Sequence, residues 1–122
     1  MHELSLVYGM IDAVTDAARA AGALKVKTVT LRVGALAGVV EDALQFSYDV
    51  ATQGTMLEGS RLVIRHPPVV IRCETCQQDR ELAGIQSFRC PVCDTPSIDI
   101  RQGRELEIES LEIEVDDDHA DR

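Results

Sequence analysis

Four cysteines in two pairs constrain this chain more than any other feature. Cys73-Glu74-Thr75-Cys76 is followed, after thirteen residues, by Cys90-Pro91-Val92-Cys93. Each Cys-x-x-Cys pair can turn two thiolates toward one point, and two such pairs complete a tetrahedron. Zinc takes that sulfur-only, four-coordinate set in closed structural sites. The gap between the pairs is slightly shorter than the usual zinc-ribbon range, but close to it. Pro91 stiffens the second turn and lacks an N–H, so the other backbone donors are left to point at the sulfurs. Three alternatives use the same residues. Two disulfides need an oxidising compartment. An iron–sulfur cluster takes the same ligands. A redox Cys-x-x-Cys needs only one pair, on a strand-to-helix turn, whereas this pair is duplicated. Zinc is the favoured reading, and a four-cysteine zinc is usually a structural staple.

The length of 122 residues suits one domain, or one small domain with an insertion. An apolar content of 45% with only 3% aromatics calls for an aliphatic core. The segment around the cysteines is shorter than the roughly 40 residues below which a module usually needs a metal or a crosslink. A structural zinc can supply apparent binding energy on the order of 10 kcal/mol in finger peptides, enough to hold such a module. The net charge of −9 argues against a nucleic-acid partner, because displacing counterions from phosphates needs a basic face. Between the first and last cysteine, Glu74, Asp79 and Glu81 outnumber Arg80 and Arg89, and Phe88 is the one aromatic. The first apolar residues are interrupted by Ser5, Tyr8 and Asp12, unlike a signal peptide. No stretch approaches the roughly 20 apolar residues of a membrane span. The expectation is a soluble cytoplasmic protein with no membrane partner.

Residues 4 to 21 read as an amphipathic helix. Leu6, Val7, Met10, Ile11, Val14, Ala17, Ala18 and Ala21 share one face at helical spacing, and Gly22 is a natural stop. Lys25 to Val33 reads as a strand with Val29, Leu31 and Val33 alternating. Glu41 and Asp42 open a second helix, well placed against its N-terminal dipole. It runs to about residue 51, with Ala43, Leu44, Phe46, Tyr48 and Val50 as its apolar surface. A strand over Arg61–Arg65 ends at Pro67-Pro68, and Val69 to Ile71 lead into Cys73. A strand–helix–strand unit over 25–65 would pair its strands in parallel through a right-handed crossover.

Residues 105 to 115 alternate acidic and apolar positions, but the parity slips between Ile108 and Leu111. A bulge near Glu109-Ser110 would restore one buried face. The acids Glu105, Glu107, Glu112 and Glu114 are positioned to meet Lys27, Arg32, Arg61 or Arg65 across strands. The expected fold is α+β: two helices packed on a small mixed β-sheet, with an inserted zinc-ribbon-like module built on the four cysteines. Residues 1–69 and 103–115 make the discontinuous α+β domain and 70–102 the cysteine module. Residues 116–122 read as a disordered acidic tail.

The chain begins Met1-His2-Glu3. A Met followed by a side chain as large as His is generally retained. The Met1 amine, the His2 backbone nitrogen once deprotonated and His2 Nδ1 can then chelate one ion in fused rings. An all-nitrogen square-planar set suits Ni(II) or Cu(II) far better than Mg or Ca. Glu3 could add its backbone nitrogen or carboxylate, or orient the imidazole. Alone, a histidine at position 2 is most often a solvated terminal residue. His66 and His119 have no partners at ligand spacing and read as surface residues. No Ser/His/Asp or paired-carboxylate arrangement is evident, so no catalytic site is expected.

Met1-His2-Glu3, the LRVG segment at Leu31–Gly34, LEGS at Leu57–Ser60, the paired CETC and CPVC, and GRELEIESLEIE from Gly103 together resemble the HypA/HybF family. The resemblance covers nearly the whole chain, in order and at matching spacing. It implies a nickel chaperone for the maturation of nickel–iron hydrogenases. It also implies a nickel site at Met1, His2 and Glu3, and a structural zinc on Cys73, Cys76, Cys90 and Cys93. The implied partners are a HypB-type GTPase and the hydrogenase large subunit, with urease maturation proteins in some members. Asp94 departs from the Gly or similarly turn-tolerant residue usual after the last cysteine, although Asp can adopt such a turn. The rival reading is a zinc-ribbon adaptor that binds only protein partners.

Overall fold

In the computed structural model, which describes residues 3–116, eight elements follow in order. They are α1 (Glu3–Ala20), β1 (Ala23–Val33), α2 (Glu41–Ala51), β2 (Arg61–Arg65), β3 (Val69–Cys73), β4 (Gln78–Leu82), β5 (Ile100–Gln102) and β6 (Leu106–Val115). The strands form two three-stranded sheets, ordered β2-β1-β6 and β4-β3-β5. The chain divides into two compact units. One comprises the chain as far as Leu31, Val39–Ile64 and the strand from Ile108 onward, and the other Arg32–Gly38 and Arg65–Glu107. The expected α+β class and small mixed sheet are borne out.

In the first unit, α1 buries Val7, Met10, Ile11, Val14 and Ala18. That stripe is narrower than the alanine content suggests, since Ala17 and Ala21 stay exposed. Gly22 ends the helix at φ 77, a conformation glycine adopts without a Cβ clash. Helix α2 packs against α1 and buries Leu44 and Tyr48. Phe46, expected to join them, is 70% exposed. The helical rotation of about 100° per residue carries position 46 to the face opposite 44. The Tyr48 hydroxyl lies 2.6 Å from Ser60 Oγ, which satisfies its buried oxygen. Val40, the N-cap of α2, makes no side-chain cap; instead its own N–H donates to the Glu3 carboxylate at 3.3 Å.

Strand β1 is central and lies beside β2, to which α2 connects it. On β6, Leu106, Ile108, Leu111 and Ile113 are half-buried, while Glu109 and Ser110 are both exposed. Thr28 Oγ1 donates to Glu112 at 2.9 Å and Arg32 pairs with Glu107 at 3.1 Å. β6 therefore spends five residue steps where β1 spends four. One surplus residue on β6 is what a bulge supplies.

In the second unit, the N–H of Gly34 donates to Glu105 O and that of Leu36 to Gly103 O, both at 2.8 Å. A Cβ on Gly34 would run into the Gly103 carbonyl, so the glycine of the LRVG segment is required by close backbone approach. Gly103 N–H is held in turn by the Glu105 carboxylate. The core of this unit is small: Val69, Ile71 and Leu82, with Leu36, Phe88 and Ile100 packed on it. Strand β3 is central and pairs antiparallel with both β4 and β5. These two flanking strands are not evident from the sequence, because Gln78–Leu82 is polar at every position but the last and β5 is three residues long.

Candidate metal centre

The β3–β4 hairpin creates the first half of the site. In its register Cys73 stands opposite Gln78, so Glu74 to Gln77 form the turn and carry Cys76. The second half is a smaller hairpin. Arg89 and Pro96 form an isolated antiparallel bridge. Ser97 N–H donates to Phe88 O, Cys90 N–H to Thr95 O and Asp94 N–H to Cys90 O. Each pair of cysteines thus sits on the tip of a hairpin, and each tip closes in the same way. The residue after the second cysteine has positive φ, Gln77 at 56 and Asp94 at 64. Asp94 does adopt the turn expected of it. The second hairpin is fastened to β3 by Ser97 Oγ donating to Arg72 O at 2.6 Å and Arg72 N–H to Asp99 O at 2.9 Å.

These two tips bring the sulfurs of Cys73, Cys76, Cys90 and Cys93 within 4.8 Å of one another. Cys73 and Cys93 are 3.5 Å apart and Cys76 and Cys90 are 3.9 Å apart, sulfur to sulfur. A tetrahedral thiolate set with bonds of about 2.3 Å needs sulfurs about 3.8 Å apart. None of the four is in a disulfide. Backbone donors converge on the sulfurs: Cys76 N–H on Cys73 at 3.4 Å, and Val92 and Cys93 N–H on Cys90 at 3.4 and 3.5 Å. Thr95 Oγ1 lies 3.1 Å from the Cys93 sulfur and donates to Thr75 Oγ1 at 3.2 Å, linking the two tips. The donor set fits a closed, four-coordinate metal such as zinc.

The sulfurs also differ in how readily they ionise. The Cys76 N–H favours the Cys73 thiolate, but burial and the three neighbouring sulfurs outweigh it and push that thiol up to about 11. Burial opposes ionising Cys90, yet the N–H groups of Cys93 and Val92 prevail and lower it to about 6. The Thr95 hydroxyl and N–H lower Cys93. A divalent cation placed among the four would replace the proton that Cys73 retains.

Of the other residues singled out from the sequence, Met1, His2 and His119 lie outside the described residues, as does the tail beyond Asp116. Glu3 is half-buried at the start of α1, with its carboxylate on the Val40 N–H. His66 is exposed. No helix among the described residues is long and apolar enough to cross a membrane. Sequence reasoning missed Thr95, whose part depends on the shape of the second tip, and Arg80, which only the register of β4 places near the sulfurs.

The fold and the site together define a small α+β protein with four cysteines on two hairpin tips positioned for a metal site. Residues 1–113 match the family model described as "Hydrogenase/urease nickel incorporation, metallochaperone, hypA". A Hydrogenase maturation factor HypA of Chloroflexus aurantiacus is 47% identical over 112 residues, covering 92% of this chain and 98% of that protein. The HypA of a Roseiflexus species is 44% identical over 120 residues and 98% of both chains. The chain belongs to the HypA family. The solution structure of the Ni metallochaperone HypA from Helicobacter pylori shares the fold. It has a TM-score of 0.67 at 21% identity, over 95% of this chain and all of that one.

Proposed function

We propose that this protein is a nickel metallochaperone of hydrogenase maturation. Ni(II) is its cargo at Met1, His2 and Glu3, and a structural zinc is held by Cys73, Cys76, Cys90 and Cys93. Membership of the nickel-incorporation family over residues 1–113 carries this reading, supported by the Met1-His2-Glu3 opening and the clustered sulfurs. Zinc in the four-cysteine site supplies a crosslink between the two hairpin tips. The hairpin tips aim the four sulfurs inward, and the N–H groups around Cys90 favour its thiolate.

Nickel is passed on without turnover. A shallow terminal site of few nitrogen ligands exchanges them readily when a partner docks, whereas a four-thiolate site between packed hairpins does not. Glu3 orients the terminus. Its carboxylate accepts the Val40 N–H, and its backbone nitrogen or the carboxylate's remaining lone pairs can be offered to the metal. Binding displaces the terminal amine proton, whose reference pKa is about 8, so nickel affinity rises through neutral pH. Cu(II) binds the same nitrogens more tightly, so loading with nickel depends on availability and on partners. The protein works with a HypB-type GTPase and delivers nickel to the large subunit of a nickel–iron hydrogenase, with urease maturation a second destination. The division of labour follows the chain: residues 1–69 with 103–115 carry nickel, and 70–102 carry zinc.

Nickel titration of untagged protein tests this reading. The wild type binds nickel and an N-terminal extension, which removes the free amine, weakens it. Equal nickel uptake by the extended protein would refute the terminal site and favour an adaptor that binds only protein partners.

A further inference from the structure

Strand β4 puts a charged residue on the buried face of the second unit. In the β3–β4 ladder Arg80 stands opposite Ile71, flanked by the pairs Val69 with Leu82 and Cys73 with Gln78. Directly opposed residues share a sheet face, so the Arg80 side chain leaves on the same side as Val69, Ile71, Leu82 and Cys73. A guanidinium belongs beside an apolar core only when something there answers its charge. Among the described residues no carboxylate does. Arg80 forms no salt bridge with them, whereas Arg72, on the other face, lies 3.6 Å from Asp79 and 3.8 Å from Glu74. The Nε of Arg80 is fully buried and has no hydrogen-bond partner.

What the Arg80 guanidinium faces is sulfur. Its neighbours there are the side chains of Cys76 and Cys90, on the face where the register also places Cys73. The backbone explains why it is needed. Among the described residues the knuckle N–H groups go to Cys73 and Cys90, and Thr95 lies against Cys93. Cys76 receives no backbone donor from them. Four thiolates around one divalent cation would also carry a net charge of about −2, on a cluster half of which is buried.

We propose that Arg80 is a positioning residue of the metal centre. Its guanidinium donates to Cys76 on one hairpin tip and Cys90 on the other, supplies the donor Cys76 lacks, and offsets the charge of the loaded cluster. A planar fork of donors can span two sulfurs, and the single ammonium of lysine cannot. Outer-shell partners of this kind typically change metal affinity by about 10–100-fold when removed.

The inference rests on the zinc reading of the four cysteines, and the test separates the two. Zinc affinity is measured by competition with a chromophoric chelator for wild type, Arg80→Met and Arg80→Lys. The sulfur-to-cobalt charge-transfer band is recorded for the Co(II)-loaded proteins. A wild type that binds no zinc at these cysteines overturns the zinc reading itself. With zinc bound to the wild type, Arg80→Met is expected to weaken zinc about 10–100-fold and to move the cobalt band to lower energy, because its sulfurs lose a donor. Arg80→Lys keeps the charge and is expected to fall between. Affinity within about twofold of wild type, or a loss in affinity with the cobalt band unmoved, overturns the role of Arg80 and leaves only packing. Should Arg80→Met not fold, Arg80→Lys decides alone, on whether its band moves.

Discussion

The two compact units bury themselves by different means. In the first, α1 and β1 contribute Val7, Val14, Val26, Val29 and Leu31, α2 adds Leu44 and Tyr48, and the connection to β2 adds Leu57, all within 1% of full burial. In the second, the described aliphatic core is Val69, Ile71 and Leu82, and the other deeply buried side chains include Cys73 and Cys90. Side-chain packing alone closes the first unit. The second buries sulfurs among its few aliphatic side chains, and on the proposed reading an ion bound to them completes its closure, while the first depends on its hydrocarbon. The lesson extends to function. A metal that completes a core cannot be cargo, and cargo has to sit where leaving costs the fold nothing.

The largest expected effect comes from taking the structural metal away. Chelation, or Cys73→Ala, should collapse hydrogen-exchange protection across β3, β4 and β5 and leave α1 and α2 protected. The metal contributes apparent binding energy on the order of 10 kcal/mol in comparable modules. Equal loss in both units would break the comparison. The pH dependence has a definite sign. The Cys73 thiol stands at about 11 and the Cys90 thiol at about 6, so near neutrality the metal must displace a proton from Cys73. Zinc affinity therefore falls as pH falls, roughly tenfold per unit for each proton displaced.

The converse substitution is Leu44→Ala. Leu44 of α2 is fully buried, and truncation should cost about 2–5 kcal/mol. Denaturant unfolding of the first unit should record this loss while zinc content stays unchanged. A drop in zinc would mean that the two cores are not independent. The smallest effect sharpens the description of the hairpin tips. Asp94 is held at φ 64, where a non-glycine residue costs about 1–2 kcal/mol. Asp94→Gly should therefore stabilise the zinc-loaded second unit by about 0.5–1 kcal/mol, after the entropy that glycine loses on folding. The exposed pair of Arg89 and Asp94, at 3.8 Å, contributes little and its loss should not reverse that gain.

How much of this was legible in the sequence divides along the same line. Hydrophobic spacing marks α1, β1 and β2, and the parity slip at Glu109-Ser110 marks the irregularity of β6, because those elements are shaped by apolar burial. The Cys-x-x-Cys spacing marks the metal centre, because geometry demands it. β4 is invisible to the same reasoning. Gln78, Asp79, Arg80 and Glu81 carry no apolar alternation, and the strand exists because the turn between Cys73 and Gln78 sends the chain back along β3. Arg80 reads in the sequence as one more surface charge, and its place beside the sulfurs emerges only from the register. Phe46 fails in the opposite sense, being apolar yet 70% exposed. The residues proposed for nickel stand out only through the family resemblance, since Met1-His2-Glu3 alone is an ordinary terminus.

The central claim is that one metal is structural and the other is cargo at the terminus. Metal analysis of untagged wild type and His2→Ala, each before and after nickel loading, tests it most directly. The account predicts that both proteins hold about one zinc per chain throughout, and that only the wild type gains nickel. Equal nickel uptake by His2→Ala, or zinc displaced from the four cysteines as nickel enters, would contradict it.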